Sequence, residues 1–345
     1  MGATNCVFLS VDSAVFPPAL FTAYTARQHA RAHEFDIVIA VPENTIEPIW
    51  LDWAAQLGVI IKEAPLAEGV GILKTASRTY PPSCCYRYIF DIFLSPRYEK
   101  LIYLDADIRV TGDISRLFDL DLGTHPFAAR PGLAVAQDIK PGSWAERYIT
   151  TLGWDVSTPY ASSGVLVINP QRWLDLDFGR RVIAVLRENI PICLLADESA
   201  LNLLVRGDFL PISPVWNILT THWLGTDLSD VIAPAVLHHG GHNKPWNPAD
   251  WITKTGDRRE TAEYQLFFRN SPFPDFASVK RRPSWKQTRR YMKGVIRRTL
   301  GRDALVNAEK YKRHIQTFPF ADKDQGLTAI DRCGVLRPTA GAADL

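Results

Sequence analysis

Short apolar runs alternate with amphipathic stretches along most of the chain, and this alternation constrains the fold more than any other feature. The runs predict strands at 6–11, 36–41, 58–61, 100–104, 164–169 and 235–238. The stretches between them predict helices at 18–32, 46–56, 86–94, 180–189 and 197–205. Strands separated by helices of this length usually pair in parallel, with helices covering both faces of the sheet. The sequence therefore predicts an α/β fold with a mostly parallel central sheet.

The composition is that of a folded protein without a membrane span. Of the 345 residues, 46% are hydrophobic and 11% aromatic, which suffices for a core without disulfides or structural metals. No stretch reaches the roughly 18 uninterrupted apolar residues of a transmembrane helix. The N-terminal stretch lacks a basic segment and meets Asp12 early, unlike a signal peptide. The five cysteines show no metal-like spacing, so we expect a cytoplasmic protein.

The charge is concentrated near the C-terminus. Segment 280–313 contains thirteen Lys and Arg against two acids, whereas the whole chain carries only +2. Apolar residues are interleaved with these cations, namely Trp285, Tyr291, Met292, Val295 and Ile296. The combination is typical of a cationic amphipathic helix on an anionic membrane surface, although the charge alone would also suit RNA or a solvated face. We expect peripheral contact with the inner face of the membrane and no nucleic acid partner.

An acidic pair follows the strand predicted at 100–104. Asp105 and Asp107 flank Ala106 at the strand's carboxyl end, where ligands collect in open parallel sheets. Two carboxylates at this spacing can bind one Mg²⁺ or Mn²⁺ ion, which completes its shell with substrate phosphates and water. A simple turn cap after the strand would explain the same short pattern.

The sequence around this pair is far more specific. The run YLDADIRVTGDISRLF at 103–118 resembles the signature of glycosyltransferase family 8, which contains bacterial lipopolysaccharide galactosyl- and glucosyltransferases and glycogenin. SGVLVIN at 163–169, ADESALN at 196–202 and HHGGHNKPW at 238–246 resemble further family motifs in the same order. The resemblance covers about residues 5 to 250. It implies one GT-A-type nucleotide-sugar-binding domain at 1–250. Past Trp251 the alternation fades, and Pro272, Pro274 and Pro283 indicate a linker into a basic segment, so we expect a basic, mainly helical C-terminal extension at 251–345.

The resemblance also implies how a metal and a diphosphate would be held. Asp105, Asp107 and His238 would be the metal ligands, and the imidazole shifts the preference from Mg²⁺ toward Mn²⁺. Lys244 would contact the diphosphate, and Gly241 would let the backbone approach it. The alternatives are a core or surface role for His238 and a solvated loop position for Lys244. His239 and His242 have no motif support and are expected on the surface or the acceptor side.

Other positions would bind the donor. The resemblance implies that Asp12 and Ser13 contact the uracil and ribose of a UDP-sugar, with Ala106 at the same nucleotide site. Arg87 would contact the diphosphate or the donor sugar, or else is an ordinary arginine on a helix surface. Asp197 would bind donor-sugar hydroxyls, and it also suits a helix N-cap.

Two positions depart from the family pattern on the sugar side. Glu198 occupies a place where glutamine is common, and Ser162 one where asparagine is common. The resemblance implies retaining transfer of a hexose, galactose or glucose, from a UDP-sugar to a saccharide or lipopolysaccharide-type acceptor with Mn²⁺ or Mg²⁺. Glu198 could act as a nucleophile. We favour a role in stabilising positive charge, with the leaving phosphate taking the acceptor proton.

Two other functions stay open from the sequence. A nucleotidyltransferase also places metal-binding acids at strand ends, but residues 9–20 lack the glycine-rich basic loop of that class. A catalytically weak nucleotide-sugar or glycan-binding protein is supported only by Glu198 and Ser162. We expect acceptor selection to reside in variable loops, here about 125–160 and 205–235.

Overall fold

The computed structural model describes residues 3–31, 34–70, 81–132, 141–220, 231–255, 258–278, 284–286, 288–289, 292, 296, 312, 315–331 and 335–339. The strands are β1 Asn5–Ser10, β2 Asp36–Pro42, β3 Ile60–Ala64, β4 Lys100–Leu104, β5 Ile108–Val110, β6 Phe127–Pro131, β7 Ala161–Ile168, β8 Leu210–Pro211, β9 Ile218–Leu219, β10 Val236–His238, β11 Thr328–Ile330 and β12 Leu336–Pro338. The α-helices are α1 Phe16–Gln28, α2 Pro48–Gln56, α3 Leu66–Val70, α4 Trp144–Leu152, α5 Pro170–Asp175, α6 Phe178–Glu188, α7 Asp197–Val205, α8 Pro248–Thr255, α9 Arg259–Arg269 and α10 Ala321–Asp324.

The central sheet has the order β3-β2-β1-β4-β7-β6-β8. The first four of these strands are parallel, with Phe8 opposite both Val38 and Tyr103. The expectation of an α/β fold with a mostly parallel sheet is therefore confirmed. The strand β7 runs antiparallel to β4 and β6. Because every residue of β7 is buried, its apolar run gives no indication of its direction.

A smaller sheet brings distant residues to the end of β4. Its order is β5-β10-β9, with β10 antiparallel to β5 and parallel to β9. The turn from β4 to β5 contains Asp105 and Asp107, and His238 at the end of β10 lies opposite Ile108. The pairing of β5 with β10 therefore carries His238 to the acidic pair across 131 residues of sequence.

The helix predicted at 86–94 is instead a 3₁₀ helix at Pro82–Ile92, with non-helical angles at Ile89. Arg87 Nε donates to the carbonyl oxygen of Cys84 at 2.9 Å. In an α-helix, the same carbonyl oxygen would accept a hydrogen bond from the backbone N–H of Tyr88. Further 3₁₀ turns occur at Ser13–Val15, Ile114–Asp119 and Pro214–Trp216. The Pro82–Ile92 segment places Arg87 beside Asp105 and Tyr88 beside Asp197.

Residues after 250 share the core of the residues before it. Tyr264 and Phe267 of α9 lie with their ring centroids 3.9 and 5.3 Å from that of Phe21. Between the prolines expected to form a linker, Phe273 stacks on Trp50 at 4.4 Å. The division at residue 250 stays a prediction, but apolar residues from its two sides belong to one hydrophobic cluster.

The basic segment 280–313 lies mostly outside the described residues, as does Pro283. Three apolar side chains of that segment are described and exposed, Trp285 at 81%, Met292 at 52% and Ile296 at 53%. Among the helices that the structure describes, none has the length and hydropathy needed to cross a bilayer.

Candidate metal centre and its surroundings

Asp105, Asp107 and His238 converge at the carboxyl end of β4. His238 Nε2 lies 3.5 Å from Asp105 Oδ2 and 3.2 Å from Asp107 Oδ1. One ligand atom from each of the three residues lies within 4.8 Å of the ligand atoms of the other two. Two ligands on opposite sides of an ion at about 2.2 Å stand about 4.4 Å apart. The three side chains can therefore hold one divalent cation after only small adjustments.

Gly164 makes this convergence sterically feasible. A Cβ at this position would lie 2.3 Å from His238 Cε1 and 3.0 Å from Asp105 Oδ2. The glycine carbonyl also accepts a hydrogen bond from the N–H of Asp105 at 2.9 Å. Two carboxylates with one imidazole suit Mn²⁺ well, whereas Mg²⁺ prefers oxygen ligands alone. The residues present therefore fit a divalent cation.

The electrostatics of the three side chains are those of a cation site. Burial lowers the pKa of His238, but the carboxylates of Asp107 and Asp105 outweigh burial and raise it. Burial raises the pKa of Asp107, yet the positive charges of Lys244 and His238 hold it well below its usual value. The carboxylates of Asp105 and Asp107 thus favour a positive charge between them, and a metal ion can supply that charge in place of a proton on His238.

Lys244 lies at the rim of this cluster. Its Nζ contacts Asp107 Oδ2 and donates to the carbonyl oxygen of His239 at 3.0 Å. Nearby, Gly241 has a φ of +87°, with no atom within 4 Å of a Cβ placed there. The backbone conformation, rather than crowding, therefore requires glycine at 241. A phosphate contact at either residue stays a prediction.

Arg87 is not on a helix surface but is buried between two acids. Its Nη2 lies 2.9 Å from Asp105 Oδ1, and its Nε lies 3.4 Å from Asp197 Oδ2. Nη1 donates to the carbonyl oxygen of Ser163 at 2.8 Å, and the guanidinium lies over the Tyr103 ring at 4.4 Å. Arg87 therefore links Asp105, one of the candidate metal ligands, to Asp197. Contact with the donor stays a prediction.

Asp197 and Glu198 start α7 beside this arginine. The N-cap is Ala196, with φ 48° and ψ −117°, so Asp197 is the first helical residue and the N-cap alternative is wrong. Asp197 Oδ2 accepts a hydrogen bond from Tyr88 OH at 3.1 Å. Glu198 Oε2 accepts one from the N–H of Ser163 at 3.0 Å. Burial, with a smaller effect of Asp197 and Asp105, raises the pKa of Glu198 to about 7.

The residues expected to bind the nucleotide lie at the same edge of the sheet. Asp12 follows β1, the neighbour of β4, and its Oδ1 accepts from the N–H of Ala14 at 3.1 Å. Its Oδ2 accepts from Ser83 Oγ at 2.7 Å, while Ser13 is exposed. Ala106, in the turn between Asp105 and Asp107, is half-buried. Roles for these residues toward a nucleotide stay predictions.

The expectation that His239 lies at the surface is wrong. The side chain is fully buried, with Nε2 3.1 Å from Glu260 Oε2 and Nδ1 3.1 Å from Thr220 Oγ1. Glu260 also binds Arg109 through both carboxylate oxygens, at 2.8 and 2.6 Å. Sequence patterns could not reveal this cluster, because Glu260 comes from α9, after the region of family resemblance. His242, in contrast, is exposed as expected.

Four residues beside the candidate metal ligands have no site role predicted from the sequence. Tyr103 OH donates to Asp105 Oδ1 at 2.8 Å, and Ser163 binds both Arg87 and Glu198. Gly164 and Asn217 contact His238 directly. Ser163 and Gly164 stand inside a recognised motif, so their positions were a usable signal. Asn217 stands outside every motif, although its Nδ2 donates at 3.3 Å to Oγ of Ser162, one of the predicted site residues.

Comparison with known families agrees with this geometry. The family model described as "Glycosyl transferase family 8" matches residues 6–250. Among curated relatives, lipopolysaccharide 1,2-glucosyltransferase of Escherichia coli K12 is 26% identical over 188 residues, covering 51% of this chain and 51% of that protein. Lipopolysaccharide 1,3-galactosyltransferase of Salmonella typhimurium is 24% identical over 170 residues, covering 47% of this chain and 48% of that protein. The alignments thus span about half of the relatives' length.

A solved structure shows the same fold. The galactosyltransferase LgtC, in complex with donor and acceptor sugar analogs, matches with a TM-score of 0.61 and 18% identity. The match covers 83% of this chain and 99% of that one. Identity at this level supports the fold alone.

Proposed function

The chain belongs to glycosyl transferase family 8, and we propose that it transfers a hexose, galactose or glucose, from a UDP-sugar to a saccharide or lipopolysaccharide-type acceptor. We propose further that the reaction depends on Mn²⁺ and retains the configuration of the anomeric carbon. The observation that carries the proposal is the convergence of Asp105, Asp107 and His238 next to Lys244. The lipopolysaccharide glucosyl- and galactosyltransferases among the relatives support the class of sugar and acceptor.

The hard part of such a transfer is departure of the nucleoside diphosphate from an oxocarbenium-like centre. A divalent cation held by Asp105, Asp107 and His238 supplies Lewis-acid charge to the diphosphate. Lys244 adds a second positive charge at the same rim, and it can exchange its contact with Asp107 for a phosphate oxygen. Arg87 holds Asp105 in place from the buried side.

Glu198 is the acidic group that we propose faces the reacting sugar. Its Oε2 is engaged by the backbone N–H and hydroxyl of Ser163, at 3.0 and 3.3 Å. Fixed in this way, its carboxylate stabilises the positive charge that develops on the sugar, while the leaving phosphate takes the proton of the acceptor hydroxyl. Asp197, held by Tyr88 and Arg87, is placed next to it to accept hydrogen bonds from the donor-sugar hydroxyls.

We also propose that segment 280–313 contacts an anionic membrane from the cytoplasmic side. The exposure of Trp285, Met292 and Ile296 beside its many cations supports such contact. Co-sedimentation with vesicles tests this proposal. Binding to phosphatidylglycerol vesicles that falls with added salt supports it, and equal binding to purely zwitterionic vesicles contradicts it.

A donor panel tests the proposed reaction. The purified protein is incubated with individual UDP-sugars and Mn²⁺, and release of UDP is measured with and without EDTA. We expect release from UDP-galactose or UDP-glucose that stops with EDTA and in Asp107→Asn. Binding of UDP without turnover of any donor would indicate a binding protein. Release of pyrophosphate from nucleoside triphosphates would indicate a nucleotidyltransferase.

A further inference from the structure

The imidazole of His238 is held from behind by Asn217. Nδ1 of His238 lies 3.0 Å from Oδ1 of Asn217. An amide oxygen accepts hydrogen bonds and cannot donate them, so Nδ1 carries a proton and is the donor. The other ring nitrogen, Nε2, faces Asp105 and Asp107. This hydrogen bond therefore leaves Nε2 as the nitrogen that can bind a cation.

Both polar atoms of the Asn217 amide have a partner. Its Nδ2 donates to Ser162 Oγ at 3.3 Å, while Oδ1 faces His238. The side chain is fully buried. The backbone oxygen of Asn217 accepts from Arg130 Nη1 at 3.1 Å, and its N–H donates to the carbonyl oxygen of Pro214 at 3.0 Å. Asn217 thus has little freedom to turn away.

The turn that precedes Asn217 is anchored by Asp322, a buried carboxylate of α10. Asp322 accepts hydrogen bonds from the N–H of Ser213 and from Trp216 Nε1, both at 2.8 Å, and from Thr328 Oγ1 at 2.5 Å. Directly after Asn217, β9 pairs with β10, so Leu219 lies opposite His238. A segment beyond the family-matched region therefore supports the turn behind the metal ligand.

We propose that Asn217 is a positioning residue, which holds His238 in the tautomer and orientation that a metal ligand requires. The inference rests on the proposed metal site. Replacing the hydrogen-bond partner of a metal-binding histidine typically weakens metal affinity by about 10- to 100-fold. Since Asn217 faces Nδ1 of His238, whereas Nε2 faces Asp105 and Asp107, its effect should appear in metal affinity even when no donor is present.

The test measures the Mn²⁺ dissociation constant of the full chain by electron paramagnetic resonance of free Mn²⁺, without a nucleotide. Asn217→Leu removes the acceptor at similar volume and should weaken Mn²⁺ binding about 10- to 100-fold. Asn217→Asp retains an oxygen acceptor for Nδ1 and should restore most of the affinity. The control is Asn169→Leu, because Asn169 caps α5 through the N–H of Arg172 and should affect stability alone.

Two results would overturn the inference. One is folded Asn217→Leu protein that binds Mn²⁺ as tightly as the wild type, and the other is Asn217→Asp protein as weak as Asn217→Leu. Wild-type protein that binds no Mn²⁺ would instead overturn the proposed metal site, and with it this inference.

A second measurement does not require a variant that folds. ¹⁵N spectra of histidine-labelled wild type loaded with diamagnetic Zn²⁺ should show, for His238, a protonated Nδ1 and a metal-bound Nε2. Metal on Nδ1 would contradict the proposed role of Asn217.

Discussion

Gly164→Ala is the substitution whose effect the structure defines most sharply. The new Cβ would lie 2.3 Å from His238 Cε1 and 2.6 Å from His238 Nδ1. Carbon atoms in ordinary contact are separated by about 3.5 Å, so the ring must move by about 1 Å. Functional sites tolerate displacements of about 0.5 Å. The imidazole is therefore expected to lose its place as a ligand, and its hydrogen bond to Asn217 with it.

The expected magnitudes follow from this displacement. Overpacking of a core costs about 1–3 kcal/mol, which lowers the melting temperature without preventing folding. A Mn²⁺ affinity about 100-fold weaker removes most of the metal-dependent stabilisation. At a Mn²⁺ concentration 100 times the wild-type Kd, this stabilisation is about 2.7 kcal/mol, and it falls to about 0.4 kcal/mol in the variant.

Thermal unfolding with and without Mn²⁺ measures both effects on the same sample. The matched control is Gly132→Ala, whose Cβ would meet, among the residues that the structure describes, Tyr160, at 3.2 Å from its carbonyl oxygen and 3.3 Å from its Cδ1. The control should lose some stability and keep the full Mn²⁺-dependent shift. A Gly164→Ala protein with the wild-type melting temperature and the wild-type Mn²⁺ shift would refute the packing argument.

Three further predictions concern charged residues of the site and its support. Because the pKa of Glu198 is about 7, kcat/KM should rise as the pH increases through about 7 and the carboxylate ionises. Glu198→Gln should lose this pH dependence while keeping measurable transfer. Complete loss of transfer with intact donor binding would instead indicate that Glu198 is a nucleophile. Lys244→Met should lower kcat by about 10²- to 10³-fold in the UDP-release assay, and an unchanged kcat would remove Lys244 from the reaction. Burial raises the pKa of Glu260, but His239 and Arg109 outweigh burial and lower it from 4.5 to about 2. The depressed pKa of Glu260 adds about 3 kcal/mol to the free energy of unfolding above pH 4.5, and this contribution is lost as the pH falls toward 2. Urea unfolding of Glu260→Gln should lack this acid dependence, and a wild-type slope in the variant would contradict it.

The residues that the sequence could identify are those whose neighbours along the chain form a motif. Asp105 and Asp107 lie in a sixteen-residue run that resembles the family signature, and His238 is the first residue of a second family motif. The structure brings these three side chains together as the resemblance implied. The parallel half of the sheet was also predictable, since strands alternating with helices leave few other arrangements.

Contacts between residues far apart in sequence could not be predicted. The burial of His239 depends on Glu260 in α9, and the orientation of His238 depends on Asn217, which lies in a short turn without a motif. Arg87 appeared as a surface arginine or a donor contact, because neither Asp105 nor Asp197 is near it in the sequence. Apolar periodicity reports that a residue is buried, but it does not report which partner covers it.

We propose that Asp105, Asp107 and His238 together bind one divalent cation. Crystals grown with Mn²⁺ and UDP, with data collected at the manganese absorption edge, would locate that ion. We expect one anomalous peak within about 2.0–2.3 Å of an oxygen of each aspartate and of His238 Nε2, with a diphosphate oxygen completing the shell. A peak elsewhere, or UDP bound with no anomalous density between these three side chains, would contradict it.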